Sequence, residues 1–375
     1  MALEDLLSAR IHRIDTSEIR KVFDLAARIE NPINLSIGQP DFPVPDPVKE
    51  AIIQAIKDDK MAYTVTQGIV PLREKISEMW QTRGGFKVDP GNIVVSTGVA
   101  SLLFLLFEAM FDPGDELLLI DPYFLIHDSL AHYHQLKTHY LPETFSKDDI
   151  EQLQKENPSM NLKAIIFSSP SNPTGKILSK EQLHQLTSLA ESQDAIIVSD
   201  EIYEAYDFDD KFTFTASMLP ERTVTLGGFS KSHAMTGLRV GYMGVPDRLR
   251  EIAQKVATLQ QYSIVCAPQV AQWGALKALE VPIHNELNIM RRRREIVLKH
   301  LKGKAEFTHP DGAFYVFPRV PGDCSAFVEK AIDQKLLIVP GHIFSQKRDS
   351  VRISYAQKEE VLEQGLEIFT QLLQG

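Results

Sequence analysis

The chain has only two cysteines in 375 residues, Cys266 and Cys324. That is too few for a disulfide framework or a four-thiolate zinc site, and each reads as a small buried or half-buried hydrophobe. Positive charge is also in short supply. Lys and Arg number 40 against 50 Asp and Glu, a formal net charge of −10. A protein that grips a phosphodiester backbone needs a basic face, so nucleic acid is not an expected partner. Long apolar runs are missing too. The longest, residues 102–107, falls far short of the roughly 20 residues that cross a bilayer. The N-terminal stretch is acidic and has no basic n-region, so no secretory leader is expected. These absences together predict a soluble protein of a reducing compartment, the cytoplasm, with no membrane partner.

What is present is ordinary globular composition, 43% hydrophobic and 24% charged, in a chain long enough for about two domains. The first 30 residues read as an amphipathic helix with Ile11, Ile14, Ile19, Val22, Phe23 and Ala26 at mixed helical spacing. Residues 31–47 carry prolines at 40, 43, 45 and 47, which forbid a helix and suggest a linker or the wall of a site. Between 48 and 280 short apolar runs (92–96, 116–120, 164–167, 195–199, 223–226, 240–244) alternate with helical patterns at 48–58, 71–82, 100–110 and 180–192. That alternation predicts a largely parallel sheet buried on both faces. After Pro282 a charged helix to about 302 precedes a smaller α+β segment, with strands at 313–317, 336–339 and 351–354 and a closing helix at 358–373. The expected division is 1–47 as an N-terminal arm and part of the small domain, 48–280 as the large domain, and 281–375 as the rest of the small domain. The run Arg291–Arg294 points all round a helix and reads as a solvated, ion-paired face.

Ligands of such sheets lie beyond the carboxyl ends of the strands. There the sequence places Thr97-Gly98-Val99-Ala100, a strand-to-helix turn with backbone N–H groups suited to a phosphate. Asn172 follows the run at 164–167 in a loop made rigid by Pro170 and Pro173. Asp200 follows another, three residues before Tyr203, and a carboxylate in that position wants a buried cation or a protonated ring nitrogen. Lys231 sits among small residues in Gly227-Gly228-Phe229-Ser230-Lys231-Ser232, where shielding can lower its pKa toward that of an imine-forming amine. Arg239, eight residues on, suits an anion fork. A phosphate, an aromatic nitrogen, a phenolate oxygen and an aldehyde would account for all of them in one crevice.

In these residues and spacings the chain resembles the class I/II aminotransferases, fold-type-I enzymes of pyridoxal 5′-phosphate (PLP), in the manner of the aspartate aminotransferases. The likeness runs from Ile37-Gly38-Gln39-Pro40-Asp41-Phe42 to Val351-Arg352-Ile353-Ser354-Tyr355-Ala356. It includes 28 residues from Asn172 to Asp200. The resemblance implies a seven-stranded, mostly parallel sheet flanked by helices, with the small α+β domain built from both ends of the chain. It also implies that Lys231 forms the aldimine with PLP and then shuttles a proton between Cα and C4′. Asp200 would keep the ring nitrogen protonated, Tyr203 and Asn172 would bond O3′, and Phe124 would stack on the ring. Val99, Ala100 and Arg239 would hold the phosphate, with help from Ser230 and, across a homodimer interface, from Tyr63 of a second copy. Arg352 would clamp the substrate carboxylate, with Gly38 closing over it. The reaction implied is ping-pong transfer of an amino group from an L-amino acid to a 2-oxo acid.

Two departures bear on the details. Many relatives carry a serine where this chain has Gly228, so Ser230 or backbone groups must compensate. Some aspartate-using relatives carry a lysine in place of Ala100, and its absence favours neutral or aromatic donors. Tyr123 and Tyr262 are candidates for the side-chain pocket. The histidines His127, His132, His134 and His139 lack a completing ligand and read as helix-end or surface residues, with His132 and His134 on one face of a strand and no metal expected. A carbon–sulfur β-lyase would keep the same lysine, aspartate and arginine. A non-catalytic PLP-binding regulator is disfavoured, because only about 30 residues, acidic on balance, precede the Gly38 motif, and the lysine, aspartate and both arginines are present.

Overall fold

The computed structural model describes residues 6–14 and 29–374. Ile19, Val22, Phe23 and Ala26 of the expected N-terminal helix lie outside them. Ile11–Arg13 form one exposed 3-10 turn.

In chain order come β1 (Ile33–Asn34), β2 (Ile93–Ser96), β3 (Glu116–Asp121), β4 (Lys137–Pro142), β5 (Leu162–Ser168), β6 (Ile196–Asp200), β7 (Thr223–Gly228) and β8 (Gly241–Gly244). The last seven form one sheet in the order β2-β8-β7-β6-β5-β3-β4. All its pairings are parallel except those of β8, which runs antiparallel to both β2 and β7. Strand residues alternate between two cores, as the pleat requires. Leu117, Leu119, Ile166, Val198 and Val224 pack with Leu102, Leu103 and Leu106 of helix Val99–Met110. Leu118, Ile120, Ile165, Phe167 and Ile197 face Leu183 and Leu186 of helix Lys180–Ser192. Each such side chain, fully buried, contributes about 1.5–3 kcal/mol, which is why these runs are apolar on both faces.

The pattern in the sequence missed β4. It is an edge strand with only β3 beside it, and its two ends are exposed, so Lys-Thr-His-Tyr-Leu-Pro carries no continuous apolar run. The expected strand through His132 and His134 is instead the last turn of helix Leu125–His134. That helix stops at Gln135, whose left-handed backbone (φ 59°) turns the chain into β4.

Past helix His284–Leu301 the chain forms β9 (Tyr315–Val316), β10 (Leu336–Leu337), β11 (Val339–Pro340) and β12 (Val351–Ser354). Strand β12 lies between β11 and β9, antiparallel to both. The single strand expected at 336–339 divides at Ile338, and its first half pairs parallel with β1. Residues 33 and 34 are therefore not a linker but an anchor in the C-terminal sheet system. Leu35, Phe314, Ile353, Leu362 and Phe369 share one core there. Arg292, Arg293 and Arg294 of the arginine run are ion-paired, yet half of the run is not solvated. Arg293 and Arg294 are buried. Arg293 forks onto Asp41 at 2.8 and 2.7 Å, and Arg294 onto Asp209 at 2.8 and 3.1 Å. The Arg293 fork fastens the proline-rich passage to the long helix.

Candidate active site

A cavity of about 330 Å³ opens beyond the carboxyl ends of β5, β6 and β7. Gly38, Val99, Ala100, Phe124, Asn172, Asp200, Tyr203, Ser230, Lys231, Arg239 and Arg352 all line it. Tyr63 does not; its side chain lies on the surface, 83% exposed.

Asp200 ends β6, and its carboxylate is buried with one hydrogen bond, from the Ile202 amide at 3.2 Å. Burial pushes its pKa up to about 7, which marks a carboxylate short of a positive partner. Lys231 follows β7 and donates from Nζ to the Gly38 carbonyl at 2.6 Å. Loss of hydration, then the charges of Arg352 and Arg239, lower its pKa to about 8. An acid held up and an amine held down in one cavity are the signature of proton chemistry near neutral pH.

At one end of the cavity Gly98 caps helix Val99–Met110, and the amides of its first turn have no acceptor within the helix. Gly98 has φ +96°, and a Cβ there would lie 2.6 Å from Arg239 Nη2. A Cβ on Gly241 would lie 2.7 Å from the Val99 nitrogen. Two glycines thus let the guanidinium and the helix N-terminus converge, a cradle for an anion. Gly228 also has a local reason: a Cβ there would meet Ile202 Cδ1 at 2.9 Å. A serine at that position has no room unless Ile202 moves.

At the other end Arg352 of β12 is buried between the rings of Tyr315 and Phe344, its Cζ 4.7 Å from each centroid. It donates from Nη1 to Asn172 Oδ1 at 2.9 Å and from Nη2 to the Ser36 carbonyl at 2.7 Å, while Nε is buried without a partner. An arginine so placed can present a planar fork to a carboxylate.

The sequence reading took His127 and His139 for helix-end or surface residues, and the structure buries both. His127 is fully buried, neither ring nitrogen has a hydrogen-bond partner, and Nε2 stands 4.0 Å from Asp200 Oδ2. Burial lowers its pKa to about 3, so the ring is neutral. His139 is also buried, bonded to Glu116 at 2.6 Å, and only His132 lies well out in solvent. A signal existed: 127, 130 and 131 share a helical face with Leu130 and Ala131, both apolar. Neither tyrosine proposed for the side-chain pocket lines this cavity. Tyr123 is core, its hydroxyl accepting from Gln346 at 2.9 Å, and Tyr262 is 86% exposed. Ile37, Gln39, Ile126 and Tyr315 line the cavity without having been singled out.

A doubly wound sheet with a lysine, a carboxylate and an anion cradle at its strand ends defines a PLP-enzyme architecture. Residues 30–369 match the family described as aminotransferase class I and II. The chain is 37% identical to a probable aspartate aminotransferase of Methanocaldococcus jannaschii, over 98% of this chain and all of that one. It is 32% identical to an aromatic-amino-acid aminotransferase of Thermococcus litoralis, over 98% of each. The solved aspartate aminotransferase of Thermotoga maritima superposes with a TM-score of 0.90 at 33% identity, over 98% of this chain and 100% of that one. The chain belongs to the class I and II aminotransferases and is a PLP-dependent enzyme acting on amino acids and 2-oxo acids. Its residues fit that cofactor. The under-partnered Asp200 suits a protonated pyridine, the low-pKa Lys231 an aldehyde, and the glycine-lined cradle a phosphate. Among the described residues no helix is long and apolar enough to cross a membrane.

Proposed function

We propose that this aminotransferase takes the amino group of a neutral or aromatic L-amino acid and delivers it to a 2-oxo acid, with Lys231 as the base. The observation that carries the reading is the convergence of Lys231, Asp200 and Arg352 on one cavity. Bound PLP supplies an electron-withdrawing ring that stabilises negative charge at the substrate Cα. Asp200 would hold the ring nitrogen protonated, with neutral His127 4.0 Å from its carboxylate. Tyr203 and Asn172 would hydrogen-bond the ring oxygen O3′, and Phe124 would pack against the ring. The amides of Val99 and Ala100, Arg239 and Ser230 would hold the phosphate. Arg352 forks onto the substrate carboxylate beneath Gly38, which orients the Cα hydrogen toward Lys231. With its pKa lowered to about 8, the Lys231 amine is partly free near neutral pH and would take that proton at Nζ, hold it, and return it to the cofactor side.

Donor preference rests on the cavity wall. Ile37, Ala100, Phe124 and Ile126 are apolar, and each lining cation already has partners. Lys231 bonds Gly38, Arg239 bonds Thr97 and Thr236 carbonyls, and Arg352 bonds Asn172 and Ser36. A distal carboxylate would therefore compete for a cation rather than find a spare one among the described residues. The chain works as a homodimer in this reading. The exposed apolar side chains Met61, Tyr63, Val65, Tyr262 and Val265 supply the contact surface. Their two segments are adjacent, joined by Gln260 Nε2 to the Thr66 carbonyl at 2.6 Å.

The test is the visible spectrum of the PLP-loaded enzyme as single amino acids are added without any oxo acid. Loss of the band with release of one equivalent of 2-oxo acid from phenylalanine, tyrosine or leucine supports the reading. Conversion by aspartate alone overturns the donor assignment. Continuous pyruvate and ammonia without an acceptor would identify a β-lyase instead.

A further inference from the structure

Tyr315 is used by none of the roles above, yet it touches three of the groups that have one. Its hydroxyl lies 2.8 Å from the Tyr203 hydroxyl, and the two rings meet edge to face at 5.6 Å. The Arg352 guanidinium stacks on its ring at 4.7 Å. A Cβ added to Gly38 would stand 2.0 Å from the Tyr315 oxygen, so only glycine lets the hydroxyl occupy that place. The backbone is fixed as firmly: Tyr315 lies on β9, paired opposite Ser354 of the strand that carries Arg352. The ring is buried and lines the cavity.

We infer that Tyr315 is a positioning residue that couples the carboxylate-binding Arg352 to the Tyr203 phenol, and so tunes the cofactor's O3′ when substrate binds. This rests on the roles proposed above for Tyr203 and Arg352. If Tyr203 donates its proton to O3′, its oxygen is left to accept, and the Tyr315 hydroxyl is in place to donate. Hydrogen bonds in such a chain strengthen one another. A cation on the face of the Tyr315 ring favours the phenol's more acidic, better-donating form. A substrate carboxylate on Arg352 cancels that charge and weakens the whole chain. Other charges acting on this pair are Lys231, with Nζ 5.8 Å from the Tyr203 ring centroid, and Asp200, whose carboxylate acts on Tyr203.

The experiment follows the pH midpoint of the visible band in PLP-loaded wild type, Tyr315→Phe, Tyr203→Phe and the double variant, with thermal melts as a folding control. An outside donor to O3′ favours the deprotonated form of the lysine-linked cofactor, so removing the Tyr315 hydroxyl should raise the midpoint. A weakened rather than lost donor predicts a rise of roughly 0.3–0.5 unit, less than for Tyr203→Phe. In the Tyr203→Phe background the second substitution should add nothing. Saturating 3-phenylpropanoate, a carboxylate with no amino group, should move the midpoint of Tyr315→Phe by less than half its effect on wild type. An unchanged midpoint, an undiminished carboxylate effect, or full additivity with Tyr203→Phe overturns the inference. A wild type with no lysine-dependent band overturns the underlying roles as well, and so the two failures are told apart.

Discussion

Arg352 of β12 reaches across to Asn172, Nη1 to Oδ1 at 2.9 Å, and so ties the C-terminal sheet to the loop after β5. In the function proposed above, the contact would join the substrate-carboxylate fork and an O3′ ligand in one hydrogen-bonded unit. Arg352→Lys keeps the charge but not the planar fork, and leaves Asn172 Oδ1 without its donor. Losing one charge-assisted hydrogen bond, about 1.5–3 kcal/mol, should lower kcat/KM for amino acids by roughly 10- to 100-fold. Steady-state kinetics across several donors checks this. A uniform loss is expected, because every donor carries the same carboxylate.

The sequence made the middle of this site readable for a plain physical reason. Strands buried on both faces appear as apolar runs, and a polar residue placed at the end of one stands out. Asp200 after Ile196-Ile197-Val198 is the clearest example, and Asn172 and Lys231 follow the same logic. What escaped lacked that contrast. Strand β4 is an edge with polar ends, and β1 has two residues, too short to show a period. His127 is polar on a helix face whose inward direction only packing reveals, and Tyr315 looks like one more core aromatic. Arg293 and Arg294 read as surface because their partners, Asp41 and Asp209, are 252 and 85 residues away.

The lowered pKa of Lys231 gives a direct pH test. Dehydration first, then Arg352 and Arg239, bring the amine to about 8. Below that it is protonated and unreactive; above it the amine is free. At pH 7.5 roughly a quarter would be neutral, against about a thousandth for an ordinary lysine. The rate at which apoenzyme captures PLP should rise with pH through a midpoint near 8. Arg352→Leu removes a neighbouring cation and should move the midpoint upward. A midpoint near 10 in the wild type would contradict the electrostatics described here.

Glu201, beside Asp200 but facing away from the cavity lining, is buried and accepts from Ser199 Oγ at 2.9 Å and the Thr215 amide at 3.1 Å. Burial pushes its pKa up to about 8 despite those bonds. The folded chain therefore holds a proton that the unfolded chain gives up at ordinary carboxylate pH. The associated stability is complete below about 4.5 and is lost as pH rises toward 8, on the order of a few kcal/mol. Thermal melts at pH 6 and 8.5 should show a smaller drop for Glu201→Gln than for wild type. Glu143, pushed up to about 7 by burial, should leave a residual slope of the same sign.

Tyr63 is 83% exposed and lies outside its own cavity, so its proposed phosphate contact has to be made in a neighbouring site. Tyr63→Ala should lower activity about 10-fold by removing one hydrogen bond to an anion, and Lys231→Ala should abolish it. Dissociated and reassociated as an equal mixture, half of the dimers would be hybrids. In each hybrid one site has the intact lysine from one subunit and the intact tyrosine from the other. Such a mixture should regain about one quarter of wild-type activity, because one site in two works in half of the dimers. If Tyr63 served its own subunit, every hybrid site would lack one of the two groups and the mixture would stay near one twentieth. Sedimentation of the wild type as a monomer at full activity would remove the basis for both numbers.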